Sequence, residues 1–305
     1  MERCESSSVG SSSEEGNYNS LDEPFKPVPF VRILWIDNSG IHRCRVIPRE
    51  HLSFVKKHGI GLSPACLAAV SSVSNCPAEE SKLTYTGMIR IIPDLSIQMQ
   101  NPVVHAETGK GQFEVVLGYT EASTAILSLI YAREVIKSVA RQHGLMATFV
   151  PKYAEDEVGS GSHVHISLSR NGKNVFMASG DSKYGMSKIG EAFMAGVLNH
   201  LPSILAFTET HPLSYEHMLP KTRNAAYLCW GKENTEAPLR TASPPGIADD
   251  LVSHFEIKAF DACANPYFGL ASIIISGVDG LRKDLSLPKP VGKLDLLLVF
   301  PLYMY

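Results

Sequence analysis

Three short stretches carry acids or imidazoles at every second residue. His163, His165 and Ser167 alternate with Val164, Ile166 and Leu168; Gln112 and Glu114 alternate with Phe113 and Val115; His254, Glu256 and Lys258 alternate with Phe255, Ile257 and Ala259. Side chains two residues apart share one face of a strand, so each stretch predicts a strand with a polar front and a buried apolar back. A sheet fronted by Glu and His suits divalent ions, because Mg²⁺ and Mn²⁺ take carboxylate oxygen and tolerate some imidazole nitrogen. Glu107, across the Gly109-Lys110-Gly111 turn from Glu114, reaches the same space. Any one of these strands, taken alone, is more often a strand that simply faces water. His105-x-Glu107 and the Gly159-Ser160-Gly161 turn are weak signals by themselves, and single motifs do not separate the two readings.

The elements that must position these residues fall into two units. Residues 1–27 carry a Ser run and acids with little to bury, and predict a disordered tail. From Phe30 two β-rich runs flank Asn38-Ser39-Gly40, a hairpin signal; a helix is expected from Pro48 and a short strand over Met88–Pro93, which makes a small α+β unit over 28–98. Asn101-Pro102 reads as a linker. The second unit, 103–291, alternates strands with helices: a strand over Gln112–Leu117, a helix over Ser123–Gln142 with Gly144 as its cap, and a strand over His163–Leu168. A helix over Met186–His200 ending at Leu201-Pro202, a strand over Ser253–Phe260 and a helix from Asn265-Pro266 to about Arg282 follow. Residues 292–305 are almost wholly apolar and have no assigned role.

Bulk properties narrow the function. With 305 residues, 44% hydrophobic and 19% charged, the chain has the composition of a folded globular protein. A net charge of -3 argues against nucleic acid, whose binding needs clustered Lys and Arg. The six cysteines form no C-x-x-C pair and read as reduced thiols. No apolar run is long enough to span a bilayer, and Met1–Ser20 has no signal-peptide core, so cytoplasm is the expected compartment and a membrane is not an expected partner.

Four strings, in order, carry a resemblance: His105-Ala-Glu-Thr-Gly-Lys-Gly-Gln-Phe-Glu114, Gly159-Ser-Gly-Ser-His-Val-His165, Trp230-Gly-Lys-Glu-Asn234, and Phe255-Glu-Ile-Lys-Ala-Phe-Asp-Ala-Cys-Ala-Asn-Pro266. Together they resemble the type I glutamine synthetases, and the glutamine synthetase-like half of plant nodulin-type fusion proteins in particular. The likeness runs from about Phe30 to Val291. It implies an α+β fold with a β-grasp-like N-terminal domain and an antiparallel sheet or partial barrel backed by helices, incomplete here. It implies ATP and Mg²⁺ or Mn²⁺ as cofactors, with Glu107 and Glu114 serving one ion and His163 and Glu256 the other. It places His165, Ser167 and Arg240 at the nucleotide, Arg240 and His163 at the reacting phosphate, and Gly159, His217 and Lys258 at the amino-acid substrate. The implied reaction phosphorylates a glutamate-type carboxylate to an acyl phosphate, which ammonia displaces. Homo- or hetero-oligomers with related subunits are also implied.

Departures from the family pattern bear on turnover. A Glu-x-Glu pair expected before the His105 string is absent, since Asp94–Pro102 leads almost straight into it. Family arginines fall on His217, Thr235, His254 and Lys258, and an acidic flap residue falls on Arg223. Lys lacks the planar two-point fork by which Arg grips a carboxylate. A weak ligase and an inactive assembly or regulatory subunit are therefore both readings of this shortened chain.

Overall fold

The computed structural model describes residues 29–62, 64–67, 88–93, 103–154, 158–180, 182–217, 227–241 and 251–292. The expected tail over 1–27, the Asp94–Pro102 stretch, Arg223 and the segment after residue 292 lie outside the described residues.

The first unit begins with the expected hairpin. Strands β1 (Phe30–Ile36) and β2 (His42–Pro48) pair antiparallel from Phe30↔Pro48 to Ile36↔His42. Buried Asp37 organises the turn: its Oδ1 accepts from the backbone N–H of Ser39 (2.9 Å) and Ile41 (3.0 Å), and its Oδ2 from Arg43 Nε (2.9 Å). Gly40 takes a φ of +81°, where a side chain would be strained. Ile33 and Ile47 pack with Val55 of helix α1 (Leu52–His58), and strand β3 (Ile60–Leu62) pairs with β4 (Ile89–Ile91). A β-grasp sheet is not assembled among the described residues, which form two separate strand pairs here.

In the second unit β5 (Val103–Ala106) and β6 (Phe113–Val116) form a hairpin, followed by helix α2 (Ala122–Gln142) and the short strand β7 (Val164–Ile166). Then come the small hairpin β8 (Ser169–Arg170) and β9 (Lys173–Asn174), helices α3 (Lys188–Asn199), α4 (Leu201–Thr208) and α5 (Pro212–His217), strands β10 (Trp230–Lys232), β11 (Leu239–Thr241) and β12 (Phe255–Ile257), and helix α6 (Pro266–Arg282). One expectation is corrected by α4. Leu201-Pro202 does not close the chain's helical run but opens a new helix, with Pro at its first turn where the missing N–H costs nothing.

Four strands make an open sheet in the order β10-β11-β12-β7, antiparallel except for the β10–β11 pair; no closed barrel forms among the described residues. Its back is a core of Trp230, Leu239, Phe255 and Ile257 against Phe176, Met194, Ile204 and Ile273. Helices α3 and α6 meet there at glycines. A Cβ on Gly280 would lie 2.2 Å from the Ala192 carbonyl oxygen, and one on Gly196 would lie 2.3 Å from that of Ser276, so the two backbones approach as closely as they do only because neither glycine has a side chain.

Two contacts seat the first unit on the second. Glu134 of α2 meets His42 (2.8 Å) and Arg32 (3.5 Å). Asn265, the N-cap of α6, accepts from Tyr267 N with Oδ1 (3.0 Å) and donates through Nδ2 to the Asp37 carbonyl (2.9 Å).

Candidate functional site

Register places the polar residues in rows. Arg240 on β11 stands opposite Glu256 on β12, which stands opposite His165 on β7. Residues paired in this way project to the same side of a sheet, so a guanidinium, a carboxylate and an imidazole lie in one line across three strands. Glu256 is the hub. Its Oε1 lies 3.0 Å from His163 Nδ1, and its Oε2 accepts from Arg240 Nε. Burial would push the Glu256 carboxyl up, but the hydrogen bond and charge of His163, with Arg240 and His165, outweigh it and hold the group at about 2. The rings of His165 and His254 lie 5.3 Å apart, and burial lowers the pKa of both.

The front of this sheet is less open than the alternation predicts. Glu256 and Lys258 are both buried, at 2% and 5% exposure, so β12 is covered on both faces. The cover comes from the loop after β10, where the Thr235 carbonyl accepts from Lys258 Nζ and the Pro238 carbonyl from Lys258 N. The β5–β6 hairpin departs in the other direction. Phe113, expected on a buried back, is 66% exposed, because this hairpin pairs only with itself among the described residues and neither of its faces is packed.

That hairpin carries the acidic half of the site. His105 pairs with Glu114 across the strands, and ligand atoms of His105, Glu107 and Glu114 all lie within 4.8 Å of one another. Glu107 accepts from Thr108 N (3.0 Å) and is held below the usual carboxylate range chiefly by its hydrogen bond with Glu114. Glu114 is raised by burial and by Glu107, with the charges of His105 and His163 opposing. The two carboxylates thus form one hydrogen-bonded pair, with Glu107 shifted down and Glu114 shifted up. Donor types and spacing fit a divalent ion here: two carboxylates and an imidazole converge without a competing cationic side chain inside the group. At Glu256 the same test gives a poorer fit, since Arg240 and His163 already hold both oxygens.

The remaining expected residues spread around these two halves. The Gly159 carbonyl accepts from Gln112 Nε2 (3.1 Å), which also reaches Ser160 Oγ (2.9 Å) and so ties the Gly159-Ser160-Gly161 turn to the acidic hairpin. Ser167 lies exposed, one residue past β7. His217 closes α5, with its side chain outside the described residues. Gly161 leaves room for the His163 ring, since a Cβ there would lie 2.4 Å from His163 Nε2. Gly161→Ala should push the imidazole off Glu256. Nucleotide or metal affinity measured by calorimetry is expected to fall about 10-fold, with thermal stability changed by only about 1 kcal/mol, since the clash is with a movable ring.

Sequence reasoning missed a second group of ionisable side chains behind the site. Glu209, at the end of α4, is fully buried, and neither of its carboxyl oxygens has a hydrogen-bond partner among the described residues. Beside it is Asp261, whose Oδ1 accepts from Cys263 N (2.7 Å) while Oδ2 is unpartnered among the described residues. Burial, with Asp261 adding to it, raises Glu209 to about 11. Arg133 is buried nearby, lowered by burial to about 10 with Asp261 opposing, and donates to Ser162 Oγ (2.9 Å). A polar residue at the end of an apolar helix gives no signal of this in the sequence.

Fold and site together define an α+β enzyme domain that sets an acidic hairpin beside a sheet face where Arg240 and imidazoles surround Glu256. The sequence matches the glutamine synthetase catalytic domain family over residues 71–295, and the chain belongs to that family, which falls in the glutamate–ammonia ligase class. Curated relatives include type-1 glutamine synthetase 1 of Dictyostelium discoideum, 36% identical over 190 residues, covering 62% of this chain and 38% of that protein. A gamma-glutamylpolyamine synthetase of Streptomyces coelicolor is 37% identical over 187 residues, covering 61% of this chain and 40% of that protein. The chain thus spans about two fifths of the length of these relatives. Among solved structures, a novel glutamine synthase homolog superposes with a TM-score of 0.74 at 22% identity, covering 90% of this chain and 89% of the other, and shares the fold.

Proposed function

We propose that this chain carries an ATP- and divalent-metal-dependent ligase site that joins ammonia or an amine to a glutamate-type carboxylate through an acyl phosphate. One observation carries the reading: an anionic hairpin (Glu107, Glu114) lies beside a sheet face where Arg240 and three imidazoles surround Glu256, with His163 within electrostatic reach of Glu114. Phosphoryl transfer needs both, a divalent cation to bridge phosphate oxygens and fixed positive groups to offset charge on the transferred group. Glu107 and Glu114 would hold one ion, with His163 and Glu256 as the candidates for a second; when bound, a metal supplies charge neutralisation. Arg240 and His165 are placed to receive phosphate oxygens, and His163 to orient Glu256. Ser167 belongs with the nucleotide, and Gly159, His217 and Lys258 with the acid substrate. The chain would work in the cytoplasm as a homo- or hetero-oligomer, as a relative of the nodulin-type fusion proteins, with units at 28–98 and 103–291.

Calorimetric titration with a non-hydrolysable ATP analogue in Mn²⁺ tests the binding half, and glutamate-dependent release of phosphate from ATP in the presence of ammonium tests the chemistry. Saturable binding with slow release supports the reading; no binding of nucleotide sinks it. A second reading, a subunit that assembles without turning over, is favoured by Lys258, whose ammonium is buried against the Thr235 carbonyl instead of facing a substrate. Binding without any phosphate release would select it.

A further inference from the structure

We propose that His105 is a third protein ligand to the ion on the acidic hairpin, so that β5–β6 alone makes a one-histidine, two-carboxylate centre that prefers Mn²⁺ or Zn²⁺ to Mg²⁺. The inference deepens the metal-dependent reading above and rests on it for Glu107 and Glu114, but the role of His105 comes from the geometry of the hairpin.

Three observations converge. Cross-strand pairing of His105 with Glu114 fixes both side chains on one face, and His105 Nε2 lies 3.5 Å from Glu114 Oε2. The other ring nitrogen, Nδ1, donates to the Ala106 carbonyl (3.2 Å). A hydrogen bond from one ring nitrogen to a backbone carbonyl is the arrangement that fixes the tautomer of metal-ligating histidines and leaves the opposite nitrogen's lone pair for the ion. Finally, Glu107 closes the group from the turn, steadied by Thr108 N and Thr108 Oγ1 (3.0 and 3.3 Å), with its ligand atom in the same 4.8 Å set. All three donors come from a single hairpin of about a dozen residues, so the centre needs no residue from the four-stranded sheet.

Donor chemistry then sets the metal. An all-oxygen set suits Mg²⁺, whereas an imidazole nitrogen adds affinity for the borderline transition ions, with Zn²⁺ above Mn²⁺ in the usual order. Because Glu256 is engaged by Arg240 and His163, the hairpin centre is the one that fills when metal is offered without nucleotide.

The test uses the full chain and Mn²⁺ alone. Calorimetry is expected to give one ion per chain, bound at least about 10-fold more tightly than Mg²⁺, and pulsed electron paramagnetic resonance should show a coupled imidazole nitrogen. His105→Ala should remove the nitrogen coupling and weaken Mn²⁺ by at least about 10-fold, Glu114→Gln should weaken it similarly, and His163→Ala should leave the coupling in place. His105 is exposed on the hairpin, so its removal opens no core cavity. Coupling that survives His105→Ala, coupling lost in His163→Ala, or no saturable Mn²⁺ binding overturns the proposal. These readouts need neither nucleotide nor turnover. Failure of the ligase reading alone would leave Mn²⁺ binding and its dependence on His105 intact.

Discussion

Replacing Glu209 by Gln should make the protein more stable at neutral pH, by about 3 kcal/mol at pH 7, with the margin growing as pH rises. The folded chain holds this carboxyl up at about 11, while an exposed glutamate has the ordinary value of 4.5. Between those values the folded state keeps a proton that the unfolded state has released. Stability therefore falls with rising pH across that window, by about 1.4 kcal/mol for each pH unit, and the loss at pH 7 is set by the distance from 4.5 to 7 wherever above neutrality the folded value lies. Glutamine has nothing to ionise, nearly the same shape, and an amide that can donate to the unpartnered Asp261 Oδ2. Urea unfolding at pH 6, 7 and 8 measures the effect as a gap between wild type and variant that widens toward alkaline pH. Parallel curves would show that Glu209 is not held protonated.

Glu256→Ala is expected to act in the opposite direction and on function as well. Glu256 is buried and bonded to both His163 and Arg240, so its loss leaves an uncompensated guanidinium and imidazole on the sheet face. Removing one member of a buried pair costs about 3–5 kcal/mol. The low end applies, about 3 kcal/mol, because Arg240 and His163 keep part of their side chains in water, with 24% and 30% exposed. Linkage gives a similar size. The folded carboxyl at about 2 against 4.5 contributes about 3 kcal/mol that is fully present above pH 4.5 and is lost as pH falls through 2. Acid unfolding should therefore show the gap between wild type and variant narrowing from about pH 4.5 and closing near pH 2. Calorimetry at about pH 7.5 with Mn²⁺ and the nucleotide analogue should show affinity reduced at least about 100-fold. Unchanged binding would remove Glu256 from the site and with it the proposed ligase chemistry.

How far the sequence led can be traced through particular residues. The 3.6-residue spacing of Ile126, Ile130 and Ala132 marked α2, and Asn265-Pro266 marked the start of α6, because caps and apolar periodicity are local signals. The alternation around Glu256 marked a strand but not its depth. Lys258 is buried by a loop more than twenty residues away, a tertiary fact that no local pattern carries. Three-residue strands such as Trp230–Lys232 and Leu239–Thr241 are too short to show a period, yet β11 supplies Arg240 to the central row. Pro202 read as a stop because proline ends helices as readily as it begins them, and only packing decides. Of these residues, Glu107, Glu114, His163 and Glu256 lie in the motif strings and Arg240 follows only from the family resemblance, and the structure groups the five in two clusters. His105 needed the cross-strand register, and Glu209 needed the burial of its helix end.

The side chain of Asn265 has an implication for how the molecule comes apart. One amide starts the helix at the back of the sheet with its oxygen and grips the first hairpin's turn with its nitrogen, and Gly40 fits there only because a Cβ would lie 3.1 Å from Asn265 N and from the Cys263 carbonyl oxygen. Peeling the hairpin away therefore frees the amide that begins α6, while the same short run of chain, from Asp261 onward, borders the buried acid pair on its inner side. Damage at either end of this tether is transmitted to the other, and the hairpin behaves as a stopper for the catalytic unit more than as an appendage to it.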